Sequence, residues 1–105
     1  MMNVFCLVGQ IKEMPQLRSI PSGEKVCNVL LEVERPYANA DGVYELDTFQ
    51  IEVWRGLAET LCSTMKTGSW ITVKGRISSR AYHKDDKVYY NSVFVAEHIG
   101  FIHTA

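Results

Sequence analysis

What this 105-residue chain has little of already narrows the chemistry open to it. Its three cysteines, Cys6, Cys27 and Cys62, are odd in number and show no C-x-x-C spacing, which argues against a disulfide framework or a zinc site. Each lies in an apolar stretch, and all three are expected to be small core hydrophobes. No apolar run approaches the length of a membrane span, and Met1-Met2-Asn3-Val4-Phe5 lacks the layout of a secretory signal. A cytoplasmic protein with no membrane partner is expected. There is no G-x-x-x-x-G-K-[ST] and no G-x-G-x-x-G, so no nucleotide cradle, cofactor or small-molecule substrate is indicated. His83, His98 and His103 fall in a turn or toward the C-terminus, away from any nucleophile, and no catalytic residue is expected. Asp85-Asp86, flanked by Lys84 and Lys87, reads as a solvated turn, so no metal site is expected there either. An excess of positive charge is missing too. With 11 Lys and Arg against 12 Asp and Glu, the formal net charge is −1, and any anionic partner must be met by local placement of cations.

What is present is a regular pattern. At 47% apolar and 22% charged, with no repeat or linker, residues 1–105 read as a single domain with one core. Val4 to Ile11 is β-rich and stops at Met14-Pro15, where proline removes a ladder donor. After Ile20-Pro21-Ser22-Gly23, a second strand runs from Val26 to Arg35, with Val29, Leu31 and Val33 inward and Glu32 and Glu34 outward. Pro36 to Gly42 forms a loop to a third strand. There Phe49, Ile51 and Val53 share one face, and Thr48, Gln50, Glu52 and Trp54 share the other, which leaves a tryptophan among polar neighbours. The period then lengthens. Leu57, Leu61 and Met65, with Ala58 and Cys62 beside them, predict a helix as far as Lys66, ended by Gly68. Trp70 to Tyr82 is a long strand with Gly75 inside it, where a bend or a close backbone approach is expected. His83 to Lys87 is a polar hairpin, and Val88 to Ala96 is a last alternating strand. This order predicts an all-β, five-stranded OB-fold Greek-key barrel with one helix between strands three and four.

Basic residues accompany aromatic ones at outward positions: Arg35 with Tyr37, Trp54 with Arg55, and Arg76 and Arg80 with Tyr82. A single-stranded nucleic acid suits such a pattern, because each unstacked base gains roughly 1–3 kcal/mol on a flat ring while cations hold the phosphates. Aromatics favour strands in any case, so the spacing also fits ordinary strand-face residues. Arg18, Lys25, Lys66, Lys84 and Lys87 read as solvated surface charge, and Lys74 as either surface charge or a phosphate contact.

The chain resembles the bacterial and phage single-stranded DNA-binding protein family from Asn3 to about Phe101. The resemblance rests on Asn3-Val4 through Val8-Gly9 with Pro15 and Arg18, on Gly23, Val26 and Leu31 to Arg35, and on Val53-Trp54-Arg55 with Leu57-Ala58-Glu59. It continues through Lys66-Thr67-Gly68-Ser69, Val73-Lys74-Gly75-Arg76-Ile77, Arg80-Ala81-Tyr82, Val95-Ala96 and Ile99. It implies that Tyr37, Trp54 and Tyr82 stack on bases, the residues that the aromatic-basic pattern already singles out. Arg35, Arg55, Arg76, Arg80 and Lys74 are then the candidates for phosphate contact. A fourth stacking position of the family is occupied by Thr48, which cannot stack.

The same resemblance implies roles in DNA replication, recombination and repair, and a nucleoid-associated location. It also implies a homo-oligomer, a tetramer before a dimer, with first strands pairing across an interface where Phe5, Leu7 and Leu30 are apolar. The family's acidic tip, which recruits replication proteins, is not matched by Ile102-His103-Thr104-Ala105, so recruitment by that route is not expected. A chain of this length is similar as well to primosomal replication protein B, which sets an adaptor in replication restart beside the coating role.

Overall fold

The computed structural model describes residues 1–13 and 15–105; the Met14 end of the predicted first strand lies outside them. Among the described residues six strands and one helix follow in the order β1 (Phe5–Glu13), β2 (Arg18–Ser19), β3 (Lys25–Glu34), β4 (Leu46–Trp54), α1 (Arg55–Thr64), β5 (Trp70–Lys84) and β6 (Lys87–His103). The five long strands are those read from the pattern, and β2 is a two-residue addition pairing with the start of β3.

The sheet order is β1-β5-β6-β4-β3-β2, and a further β1–β3 pairing closes it. Closure depends on β1 serving two neighbours. Its first half pairs with β5, from Phe5 opposite Gly75 to Gln10 opposite Trp70, and its second half pairs with β3, from Gln10 opposite Glu32 to Glu13 opposite Leu30. At the crossing a Cβ on Gly9 would collide with the Glu32 carbonyl oxygen, so only glycine lets the two strands meet there. Gly75 answers the same need on β5, where a Cβ would overlap the Val95 carbonyl of β6. The expected close approach is thus between those two backbones. β4 and β6 pair in parallel, with Ile51 opposite Phe94 and Glu52 opposite Val95, and complete the OB-type barrel.

Alternation fills the interior as the sequence implied. Val29, Leu31, Ile51, Val53, Ile71 and Val73 are buried, and Phe94 meets Phe5 and Phe49 edge to face, with ring centroids 5.2 and 5.5 Å apart. α1 begins two residues earlier than predicted and ends at Thr64 rather than Lys66, with Met65 already extended. Its Ala58 and Leu61, followed by Met65, pack into the core, and the helix lies against β3 and β4.

Four expectations need correction. Cys27 is buried and Cys62 half-buried, but Cys6 is exposed, because Phe5 and Leu7 take the inward positions on β1. For the same reason Phe5 and Leu7 belong to the protein's own core rather than to an outer face. The polar hairpin is only Asp85-Asp86, both at positive φ (52° and 63°), and His83, Lys84 and Lys87 continue the ladder. A two-residue turn with that twist lets both strands pair to its edge. Finally, β6 runs on to His103, so His98 lies in a strand opposite Lys74 rather than beyond the sheet.

Candidate nucleic-acid interface

Trp54 closes β4 in extended geometry, and the next residue, Arg55, has φ +58°, a left-handed conformation costly for a residue with a Cβ. That corner turns the chain from strand into helix beside the ring. Two residues back on the strand is Glu52, which the alternation places among outward polar residues; only 7% of it is exposed. It is covered by its own partners. The Trp54 indole Nε1–H donates to Glu52 Oε1 at 2.7 Å. Arg80, on β5, donates from Nη1 to Oε2 at 2.8 Å and from Nη2 to Oε1 at 2.6 Å. This two-pronged, charge-assisted pair holds both groups in one geometry. The Arg80 hydrogen bonds hold the Glu52 carboxyl below the usual glutamate range; desolvation opposes the shift, and the Trp54 bond and the charges of Arg80 and Arg18 reinforce it. The Arg80 guanidinium is raised in turn, first by its hydrogen bonds to Glu52.

Around this triad the surface is concave. A hollow of about 450 Å³ is lined by Trp54, Arg55, Arg76, Ser78 and Arg80, with Glu24 at its border. A second hollow of about 460 Å³, lined by Arg18, Asn28, Gln50, Asn91 and Ser92, shares Glu52 and Arg80 with the first. Together they form a polar track on the sheet face with one aromatic ring and several cations along it.

Four of the eight site residues expected from the sequence therefore converge: Trp54, Arg55, Arg76 and Arg80. The other four do not line either hollow. Lys74 is exposed further along β5. Tyr37 is 65% exposed just beyond β3. Tyr82 is 44% exposed near the tip of the β5–β6 hairpin and stacks on Tyr89, with centroids 5.2 Å apart and planes 18° apart.

The arginines are not equivalent. Arg35 is held at 2.6 Å from Glu45 and 3.0 Å from Asp47, which raises its pKa, chiefly through the Asp47 hydrogen bond. Asn39 Nδ2 also donates to Glu45, and its Oδ1 accepts from the backbone N–H of Asp41 and Val43, so Arg35 braces the loop that carries Tyr37. Arg55 pairs with Glu24 at 3.0 Å. Among the described residues Arg76 and Lys74 have no ion pair, nor has Arg18 in the second hollow, and these three are cations free to meet phosphate. Sequence reasoning missed Glu52 and Tyr89. For Glu52 the available signal was an acidic residue two positions from an outward tryptophan. For Tyr89 it was a second tyrosine placed symmetrically to Tyr82 about the Asp85-Asp86 turn.

The profile of the single-strand binding protein family matches residues 2–102, and the chain belongs to that family. It is 38% identical over 105 residues to a single-stranded DNA-binding protein of Oceanobacillus iheyensis, covering 99% of this chain and 65% of that protein. It is 40% identical to single-stranded DNA-binding protein 3 of Listeria innocua, covering 97% and 64%. Single-stranded DNA-binding protein B of Bacillus subtilis is 36% identical, covering 92% and 83%. The chain thus spans just under two thirds of the first two relatives. The single-stranded DNA-binding protein of Thermus aquaticus, in a crystal structure of a deletion mutant, shares the fold with a TM-score of 0.79 at 21% identity, over 96% of this chain and 50% of that one. These relatives lend no support to the primosomal adaptor reading.

Proposed function

We propose that this protein binds and coats single-stranded DNA with little sequence preference, making and breaking no bond. The observation that carries the reading is the Trp54 ring standing in a concavity bordered by Arg55, Arg76 and Arg80. A base has a flat hydrophobic face that stacks on an aromatic ring regardless of base identity, while the cations follow the backbone. The relatives named single-stranded DNA-binding proteins support the same substrate. Tyr37 and the Tyr82–Tyr89 pair extend the surface as further stacking platforms, and Arg76 and Lys74 supply phosphate contacts. Assembly into homotetramers, a cytoplasmic nucleoid location and service to replication, recombination and repair go with this reading.

The test is intrinsic tryptophan fluorescence during titration with a thymidine oligomer of roughly 35 nucleotides, with duplex DNA as control. Quenching by the single strand alone, weakened by salt, is expected. Absence of quenching at micromolar protein refutes the assignment.

A further inference from the structure

We propose that Glu52 is the positioning residue of this site: it clamps Trp54 and Arg80 into one preorganised unit, and its enclosed carboxylate neutralises the charge of the half-exposed Arg80. The inference rests on the single-strand-binding reading above and adds a division of labour among its residues. Glu52 is nearly enclosed, and both its oxygens are engaged, Oε1 by the indole and Arg80 together and Oε2 by Arg80. A tryptophan side chain turns about two torsions, and tying its Nε1–H to a fixed carboxylate at 2.7 Å removes that freedom before a base arrives. The ordering cost is met on folding rather than on binding.

The consequence for charge is less intuitive. A cation releases counterions on binding DNA only if it neutralises phosphate, and each such contact steepens log K against log salt by about 0.7 for a single strand. Arg80 already has a full carboxylate partner in two-pronged geometry at 2.6 and 2.8 Å. Moving it to a phosphate would leave Glu52 charged, enclosed and without its cation, which is costlier than leaving the phosphate to solvent. Arg80 therefore acts as a fixed wall of the hollow beside Trp54, and the salt dependence comes from cations without an ion pair, Arg76, Lys74 and Arg18.

The experiment compares wild type, Arg80→Ala, Glu52→Gln and the double variant, each checked for fold by circular dichroism. It measures affinity for the thymidine oligomer across a salt series. Glutamine keeps an oxygen that accepts from the indole but cannot neutralise the guanidinium. Arg80→Ala is expected to leave the salt slope unchanged. Glu52→Gln is expected to steepen it by about 0.7, and adding Arg80→Ala to it should return the slope to the wild-type value. A purely structural role for Glu52 would alter affinity without that reversible change in slope. A slope that flattens by about 0.7 in Arg80→Ala alone overturns the proposal, since Arg80 would then be contacting phosphate.

Hydrogen exchange of the Trp54 indole N–H, measured by NMR in the free protein, supplies an arm that needs no DNA. It should be slow in wild type and in Glu52→Gln, and fast in Glu52→Leu. Equal exchange in all three removes the clamp. If wild type fails to bind the oligomer, the single-strand-binding reading falls, and the exchange data still decide whether the clamp exists.

Discussion

Replacing Trp54 by alanine isolates the stacking contribution, because the structure keeps the collateral damage small. Trp54 is half-buried at the end of β4, outside the cluster of fully buried residues, and its single side-chain hydrogen bond goes to Glu52. After truncation Glu52 retains both bonds from Arg80, so no enclosed carboxylate is orphaned and the barrel should remain folded. What is lost is one base platform. At roughly 1–3 kcal/mol for a stacked base, the affinity for a thymidine oligomer should fall roughly 5- to 150-fold. Filter binding or fluorescence anisotropy with an end-labelled oligomer reads this without relying on the tryptophan removed. Trp54→Phe, which keeps a ring but not the indole donor, should fall between wild type and alanine. A folded Trp54→Ala protein with wild-type affinity would refute the site, and equal losses in the phenylalanine and alanine variants would show that the indole hydrogen bond, not the ring face, sets the affinity.

Other consequences can be checked more briefly. Tyr89→Ala should weaken single-strand binding about 2- to 10-fold by removing the ring on which Tyr82 rests, and its effect should vanish in a Tyr82→Ala background, as a double-mutant cycle in the same assay would reveal. Because the Glu52 pKa is lowered in the folded state, its ionised form stabilises the protein above the unfolded-state pKa. That stability should be lost as pH falls through the folded pKa, and Glu52→Gln should flatten this part of the acid limb in urea unfolding. Burial, aided by the neighbouring Cys62, pushes the Cys27 thiol up to about 12, whereas Cys6 is exposed. Iodoacetamide at neutral pH should therefore label Cys6 in the native protein and reach Cys27 only after denaturation, as peptide mass mapping would show.

The sequence by itself determined the order of the five long strands and the helix, and the inward residues of β3 and β4. Period-two alternation in β3 and β4 and the longer period from Leu57 to Met65 are local signals, set by where each Cβ points along its own element. Gly75 was legible as a special position for the same reason, since a missing side chain inside a strand requires a neighbour that needs the space.

Only the tertiary structure decided which outward residues meet. Glu52 and Arg80 are 28 positions apart on strands that do not pair directly, and nothing local to either announces the ion pair. That pair encloses an apparently solvent-facing glutamate, and it ties Arg80, a candidate phosphate contact, to a carboxylate. Likewise the ladder to the Asp85-Asp86 turn sets Tyr82 opposite Tyr89, and the double pairing of β1 turns Cys6 outward and Phe5 inward. Charge and shape at a binding face are sums over strands brought together by closure of the barrel. The sequence lists the contributors, and the register between strands selects which of them remain free to bind.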